Sequence, residues 1–264
     1  MNLRTNIFLE NKANRLREEM GILNADPISI HQILKHKHVL GYFAPLGKDP
    51  SGMAIKIKDA NATDAKLFML INTSDQYCKQ RFTAAHELYH LLVQENFSYS
   101  YDEDMWSDKD QEEVNANYFA TYLLLPQAGI KQLIPIEEQK KDKISLGTIL
   151  YLEHNFRCSR LSLLYRLRHL GLVTEAFVDR MKGSVQKGAL EYGYDLSLYT
   201  KTEKTELVGD YNILARRLYD ENKISLAKYY SYLKDMNINL KEARNAEEGN
   251  LGLHGRKACL YSHH

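Results

Sequence analysis

Apolar residues in the N-terminal half of the chain follow two different periods, and together these predict a mixed α+β domain. Residues 7–20 repeat apolar side chains at helical spacing, and residues 26–34 predict a second, short helix. Residues 53–58 alternate between apolar and charged side chains, as a half-buried strand does. Residues 66–72 form a more apolar strand pattern, and the turn-rich residues 59–64 between them predict a β-hairpin.

Two longer helical patterns follow this hairpin. The first covers about residues 74–95, and the second covers about 110–125 and is ended by Pro126. The second pattern places a carboxylate, an amide, small residues and leucines on a single face: Glu113, Ala116, Asn117, Ala120, Leu123 and Leu124. Its alanines allow close approach to the first helix. The polar and aromatic residues 96–110 predict a loop over or beside this face.

The remainder of the chain is predicted to be helical. Residues 145–156 and 160–170 form two helical patterns around a tight turn at 157–159, which is typical of a helix-turn-helix. Within residues 173–240, apolar spacing indicates one helix at Leu207, Tyr211, Leu214 and Leu218 and another at Ile224, Leu226, Tyr229, Tyr230 and Leu233. The tail from about residue 241 is expected to be loose.

These patterns divide the chain into three predicted segments. Residues 1–130 are expected to form a small sheet with two long helices. Residues 131–172 are expected to form a helix-turn-helix-like helical subdomain. Residues 173–264 are expected to form a helical accessory region with a loose tail, in which the sequence indicates no chemistry.

Composition narrows the class of protein. Hydrophobic residues make up 44% and charged residues 26% of the chain, as in an ordinary globular protein, and the net charge of +1 gives no general attraction to nucleic acid or membrane. Cys78, Cys158 and Cys259 are widely separated and odd in number, which argues against a disulfide framework or a thiolate zinc site. A cytoplasmic location without membrane contact is the expectation.

One segment departs from this neutral balance. Residues 131–172 contain eight Lys or Arg and four Asp or Glu, so DNA binding through the helix-turn-helix is one hypothesis. The alternative is a packing or substrate-docking subdomain. We favour the alternative because many positions on the second helix are apolar and are needed for packing.

The chemistry of the sequence is concentrated in His86-Glu87-x-x-His90, within the first long helix. Side chains at i and i+4 are neighbours on a helix, so His86 and His90 can bind one Zn²⁺. Glu87 can then contact water at the metal without being a ligand, which suits a general base. A catalytic zinc site needs one more protein ligand.

The third ligand has to come from another part of the chain. Val93 and Asn96 stand where the extended metzincin pattern has glycine and a third histidine. Glu113 is our choice because it begins the inward face of the second helix, and Glu112 is the alternative. Glu113 could instead be an exposed residue favoured by the helix dipole. The acidic residues in 96–110 are further alternative ligands, although a solvated acidic loop is the better interpretation.

Two blocks of sequence resemble the ImmA/IrrE family of metallo-endopeptidases. The first is Arg81-Phe82-Thr83-x-Ala85-His86-Glu87-Leu88-x-His90, and the second is Glu113-x-x-Ala116-Asn117-x-Phe119-Ala120-x-x-Leu123-Leu124-x-Pro126. Ser51-Gly52 before a strand also fits the family. The resemblance implies a zincin-like fold, zinc binding by His86, His90 and Glu113, and Glu87 as the catalytic carboxylate. Tyr89 and Asn115 depart from residues common in the family, but they remove no ligand.

The resemblance also implies a biological role. It predicts a zinc-dependent endopeptidase that cleaves a helix-turn-helix transcriptional repressor and so relieves repression in stress response or mobile-element control. Two histidines and one carboxylate are also compatible with Mn²⁺ or Fe²⁺. The alternative function is a non-catalytic DNA- or protein-binding regulator with a structural metal site. For the residue that stabilises the oxyanion, Tyr89 and Tyr118 are candidates, although core packing is the favoured role of each.

Overall fold

A computed structural model describes residues 3–48, 50–58, 65–95, 97, 99–101 and 111–236. The chain separates into two compact units, Met1–Val208 and Gly209–His264. The predicted turn at 59–64, most of the predicted loop at 96–110 and the tail from 241 lie outside the described residues. No helix in the described part of the chain is long and apolar enough to cross a membrane.

The first unit is an α+β fold built on one mixed sheet. In the described residues the sheet has five strands: β1 (Val39–Ala44), β2 (Gly52–Ile57), β3 (Lys66–Asn72), β4 (Tyr99–Tyr101) and β5 (Glu206–Val208). Their spatial order is β4-β2-β3-β1-β5, and only the β1–β3 pair is parallel. The predicted β2–β3 hairpin is confirmed, with Gly52 opposite Ile71.

Eleven α-helices lie in the described residues. Those in the first unit are α1 (Leu3–Glu19), α2 (Ile30–His36), α3 (Tyr77–Leu92), α4 (Gln111–Leu124), α5 (Gln127–Leu133), α6 (Leu146–Phe156), α7 (Arg160–His169), α8 (Glu175–Met181) and α9 (Val185–Glu191). The second unit contains α10 (Tyr211–Asp220) and α11 (Leu226–Asp235). Short 3₁₀ turns occur at Ile136–Glu138 and Ser197–Tyr199.

Three strands differ from the sequence prediction. β1 was not predicted, although it pairs with two neighbours and carries the buried Val39 and Phe43. Tyr99–Tyr101 pairs with β2 as a strand, so the prediction of a continuous loop over 96–110 is wrong at these residues. Leu207 was assigned to a helix but lies in β5, where backbone pairing with Tyr42 overrides the weak helical spacing.

The core of the first unit packs α1 and α4 against each other and α3 against the sheet. The buried Arg17 on α1 links this helix to α4 and to the segment that follows α1. Its guanidinium donates to the Leu123 carbonyl at 3.0 Å and to the carbonyls of Leu23 and Asp26 at 2.7 Å each. Burial lowers the pKa of Arg17 to about 10. The buried cation is accommodated because carbonyl oxygens take the place of water.

The helix-turn-helix pattern corresponds to α6 and α7, with residues 157–159 between them. Arg157 ends α6 in the left-handed conformation at φ 53°, and the Ser159 hydroxyl caps α7 by accepting from the Ser162 amide. Glu153 and Arg160 form an ion pair that is almost fully buried inside the turn. The turn is therefore held by charge pairing as well as by its caps.

The second unit has a small core of its own. Ala215 on α10 lies buried with Tyr229 and Leu233 on α11, and the Tyr219 and Tyr229 rings stack at 5.1 Å. Ser225 caps α11 by accepting from the Lys228 amide. These are the two helices expected near the C-terminus, with the first beginning at Tyr211.

Candidate metal centre

The His86-Glu87-x-x-His90 motif lies in the buried part of α3. Ala84, Ala85, Leu88 and Leu91 pack into the core, and His86, Glu87 and His90 are each no more than 1% exposed. Polar side chains this deeply buried need specific partners, because lost hydration is otherwise uncompensated. The partners found here indicate what the site can bind.

Three potential ligands meet at one point. His86 Nε2 lies 2.9 Å from Glu113 Oε2, His90 Nε2 lies 3.3 Å from Glu113 Oε1, and the two Nε2 atoms are 3.2 Å apart. One ligand atom from each residue falls within 4.8 Å of the others, and no other such group occurs among the described residues. Lone pairs this close repel one another unless a proton or a metal ion lies between them, and two imidazole nitrogens with one carboxylate are a donor set that fits a divalent metal.

The second nitrogen of each histidine is held by an amide oxygen. His86 Nδ1 is 3.0 Å from Asn117 Oδ1, and His90 Nδ1 is 2.6 Å from Gln94 Oε1. An amide oxygen can only accept a hydrogen bond, so Nδ1 of each ring carries the proton. The neutral tautomer then has its lone pair on Nε2, where a metal needs it. The sequence places Asn117 on the same predicted helix face as Glu113, whereas it gives no prediction for Gln94.

Glu87 is held against the first strand of the hairpin. A methyl group added at Gly52 would overlap Thr83 Cγ2 and would lie 3.3 Å from Glu87 Oε1. Glycine is therefore required where β2 crosses α3, and the close approach confines the Glu87 side chain. The Lys56 ammonium further joins β2 to α3 by donating to the Leu91 carbonyl at 3.3 Å.

Glu112, the alternative ligand, contacts Tyr89 instead of the histidines. The Tyr89 hydroxyl donates to Glu112 Oε2, and the Tyr89 ring packs against Phe119 at 5.9 Å. Tyr118 packs against the rings of Tyr122 and His169. These contacts agree with packing roles for both tyrosines. The other alternative ligands, the acidic residues of 96–110, lie outside the described residues.

Protonation in the metal-free site follows from the same contacts. Hydrogen bonds from His86 and His90 hold the pKa of Glu113 well below its usual range. Burial acts to lower the pKa of His90, but the hydrogen bonds to Glu113 and Gln94, together with nearby carboxylate charge, raise it overall. Without metal, these contacts therefore favour an ionised Glu113 and a protonated His90.

A groove of about 530 Å³ lies between α4 and α7, and it shares Asn117 with the metal centre. Its lining includes Asn117, Tyr118, Tyr165 and Arg168. Asn117 is one helical turn from Glu113, so the groove continues the α4 surface that carries the third donor. This makes it a neighbour of the metal centre and of the helix-turn-helix segment.

Few of the arginines in the locally basic segment are free for a ligand. Arg160 is paired with Glu153, and Arg166 donates to the Leu125 carbonyl at 3.1 Å and is paired with Glu10. Both guanidinium groups are buried. Arg168 is exposed but forms an ion pair with Glu175 on α8. The surface of segment 131–172 therefore carries less unpaired positive charge than its count of Lys and Arg suggests.

Comparison with known protein families gives one match. Residues 48–168 match the IrrE N-terminal-like domain of the M78 peptidases, a stretch that begins just before β2 and ends within α7. It includes every residue of the candidate metal centre. The match confirms the resemblance to the ImmA/IrrE family. A search among curated proteins found no match.

Proposed function

Because its residues 48–168 form the IrrE N-terminal-like domain of the M78 metallopeptidases, we propose that this chain is a zinc-dependent endopeptidase. In this proposal His86, His90 and Glu113 hold the metal and Glu87 is the catalytic carboxylate. The observation that carries it is the convergence of both Nε2 atoms on Glu113, while both Nδ1 atoms are engaged by amide oxygens.

The donor set favours a catalytic over a structural site. Three protein donors leave one position of a tetrahedral zinc for water or substrate, whereas structural zinc sites usually have four protein ligands. The Glu113 side chain is 26% exposed, so the centre is open to solvent on that side. When bound, zinc acts as a Lewis acid and lowers the pKa of water from about 16 to about 7.

The residues of the chain supply the proton transfers. Glu87 lies next to His86 in sequence, about 100° around the helix, so its carboxylate can take a proton from water without replacing a ligand. It can then deliver that proton to the leaving amine. Gly52 limits where the carboxylate can move, and Asn117 and Gln94 fix the histidine rings. Mn²⁺ and Fe²⁺ are compatible with the same donors.

The proposed substrate is a helix-turn-helix transcriptional repressor, whose cleavage would relieve repression in stress response or mobile-element control. This part of the proposal rests on the family. Cys78 and Cys158 are free and buried, which is compatible with the cytoplasmic setting that we propose. We propose that the α6–α7 segment serves packing or substrate docking and not DNA binding, because Arg160 and Arg166 are buried in ion pairs within the protein.

The test is to incubate the purified, zinc-loaded protein with the repressor encoded nearest its gene. The proposal expects cleavage at a defined bond, which mass spectrometry would identify. The alternative is a non-catalytic regulator with a structural metal, which binds DNA or protein. Tight DNA binding with an intact repressor would favour that alternative.

A further inference from the structure

A second cavity, of about 260 Å³, borders the same helix as the metal centre. Its lining from α3 consists of residues at helical spacing: Tyr77, Gln80, Arg81 and Ala84. With about 100° per residue, this face is roughly opposite the one carrying His86 and His90. The cavity is thus separate from the metal site, and it is somewhat smaller than pockets for drug-sized ligands.

Arg81 is a buried cation on the wall of this cavity. Its side chain donates through Nε to the Arg157 carbonyl at 3.1 Å and through Nη2 to the Ile28 carbonyl at 2.9 Å, and it is 5% exposed. These acceptors are uncharged, and among the described residues no carboxylate lies within ion-pair distance of Arg81. Burial lowers the pKa of this guanidinium. The guanidinium, which also contacts the Tyr77 side chain, is hydrogen-bonded as Arg17 is, but no carboxylate among the described residues neutralises its charge.

Lys204 is a second cation in the lining. It belongs to the segment 202–206, which also contributes Thr202 and Glu206 to the cavity. Lys204 is exposed and forms no ion pair within the described parts of the chain. The one carboxylate in the lining, Glu206, is already engaged by His31 at 3.1 Å. With Arg81 and Lys204 beside the single carboxylate of Glu206, the ionic side chains in the lining carry a net positive charge.

The lining also contains apolar side chains and one buried polar atom that has no hydrogen-bond partner among the described residues. Ile30, Phe43 and Ala84 provide hydrophobic surface beside the two cations. Thr73 is 2% exposed, and its Oγ1 is buried with no hydrogen-bond partner among the described residues. Such an atom can donate to an oxygen of a ligand.

We infer that this cavity binds a small organic anion. Its carboxylate or phosphate group would be held by Arg81 and Lys204, and its apolar part would contact Ile30 and Phe43. Charge-assisted hydrogen bonds of this kind are the strong ones, and a guanidinium fits the planar arrangement of carboxylate and phosphate oxygens.

An occupant of this cavity would join α3 to the segment that follows α9. That segment is already attached to the start of α3: the Tyr77 amide donates to the Thr200 carbonyl at 2.8 Å, and Gln80 Nε2 donates to Thr202 Oγ1 at 3.1 Å. A ligand that binds only the folded state stabilises it by mass action. Ligand binding should therefore raise the melting temperature of the protein, with or without metal.

Isothermal titration calorimetry with three probes tests the inference directly. Benzoate carries a carboxylate, phenyl phosphate carries a phosphate, and benzamide matches benzoate in size without the charge. We expect at least one anion to bind the full-length protein with Kd below about 10 mM, and benzamide to bind roughly tenfold more weakly or not at all. The two anions distinguish the carboxylate from the phosphate form of the ligand.

Lys204→Ala is the matching variant because the side chain is exposed and its loss should not disturb folding. It should weaken binding of the anion by about tenfold, the loss of one charged hydrogen bond. Lys201→Ala is the control, since Lys201 lies on the same segment, outside the cavity, and is paired with Glu203. Both variants should melt like the wild type without ligand.

Three outcomes would overturn the inference. They are an absence of saturable binding by either anion, equal binding of benzamide and benzoate, and wild-type affinity in the Lys204→Ala variant. Each readout is independent of proteolysis, so the result does not depend on the proposed peptidase activity.

Discussion

Asn117 offers a test of the metal centre that leaves all three potential ligands in place. Its Oδ1 accepts from His86 Nδ1 at 3.0 Å, and the His86 ring is 1% exposed. Asn117→Leu keeps the approximate size of the side chain but removes the acceptor. The buried Nδ1–H is then unsatisfied in the tautomer that binds metal, at a cost of about 1–3 kcal/mol.

Because this free-energy cost applies to the metal-binding tautomer of His86, it lowers the affinity for zinc. A penalty of this size corresponds to a loss of roughly tenfold to a hundredfold in zinc binding, the range typical of removing a partner that orients a ligand. Asn117→Asp restores an acceptor and should regain most of the affinity. Gln111→Leu is the control, because Gln111 is an exposed residue at the start of the same helix.

Competition with a chelating dye would measure these affinities, and circular dichroism would verify that each variant is folded. The expected order of zinc affinity is wild type and Gln111→Leu together, Asn117→Asp close to them, and Asn117→Leu clearly lower. If Asn117→Leu binds zinc as tightly as the wild type, the argument that the amide fixes the His86 tautomer is wrong.

Three further predictions follow from the same contacts. Glu113→Ala should abolish stoichiometric zinc binding without unfolding the protein, as measured by metal analysis after gel filtration, because it removes one of the three donors that meet among the described residues. Zinc affinity should fall as pH is lowered from about 7.5 to about 5.5, because the raised pKa of His90 lets protons compete for Nε2 at higher pH than in a free histidine. Gly52→Ala should destabilise the protein by about 1–3 kcal/mol in urea unfolding, because the new methyl group overlaps Thr83 Cγ2.

Each of these predictions has a contrary result. Undiminished zinc content in Glu113→Ala would mean that another residue completes the site. A pH-independent affinity across this range would contradict the proton competition at His90. A Gly52→Ala protein as stable as the wild type would show that β2 can move away from α3.

The long elements could be predicted from sequence because their periods are regular. The hairpin and the helices α3, α4, α6 and α7 all follow clear apolar spacing. β1 was missed because Val39–Ala44 is a short apolar run without alternation, directly after a helix. β4 and β5 have three residues each, too few to establish a period, and they exist through pairing with neighbouring strands.

Some residues of the metal centre could also be predicted from their spacing in the sequence. His86 and His90 are on one face by spacing alone, whereas bringing Glu113 to them requires α4 to pack on α3. Gln94 is four residues after His90 and could have been found by extending the i, i+4 spacing that defines the motif. The need for glycine at residue 52 could not be derived, because it depends on how closely β2 crosses α3.

In the proposed reaction, Glu87 transfers a proton at a metal held by His86, His90 and Glu113, and the Glu87→Gln variant tests this role. The measurement pairs zinc content with cleavage of the candidate repressor by the wild type and the variant. We expect equal zinc content in the two proteins and cleavage reduced by about 10²- to 10⁴-fold in the variant, the usual contribution of a general base. Cleavage at the wild-type rate by a zinc-loaded Glu87→Gln protein would contradict it.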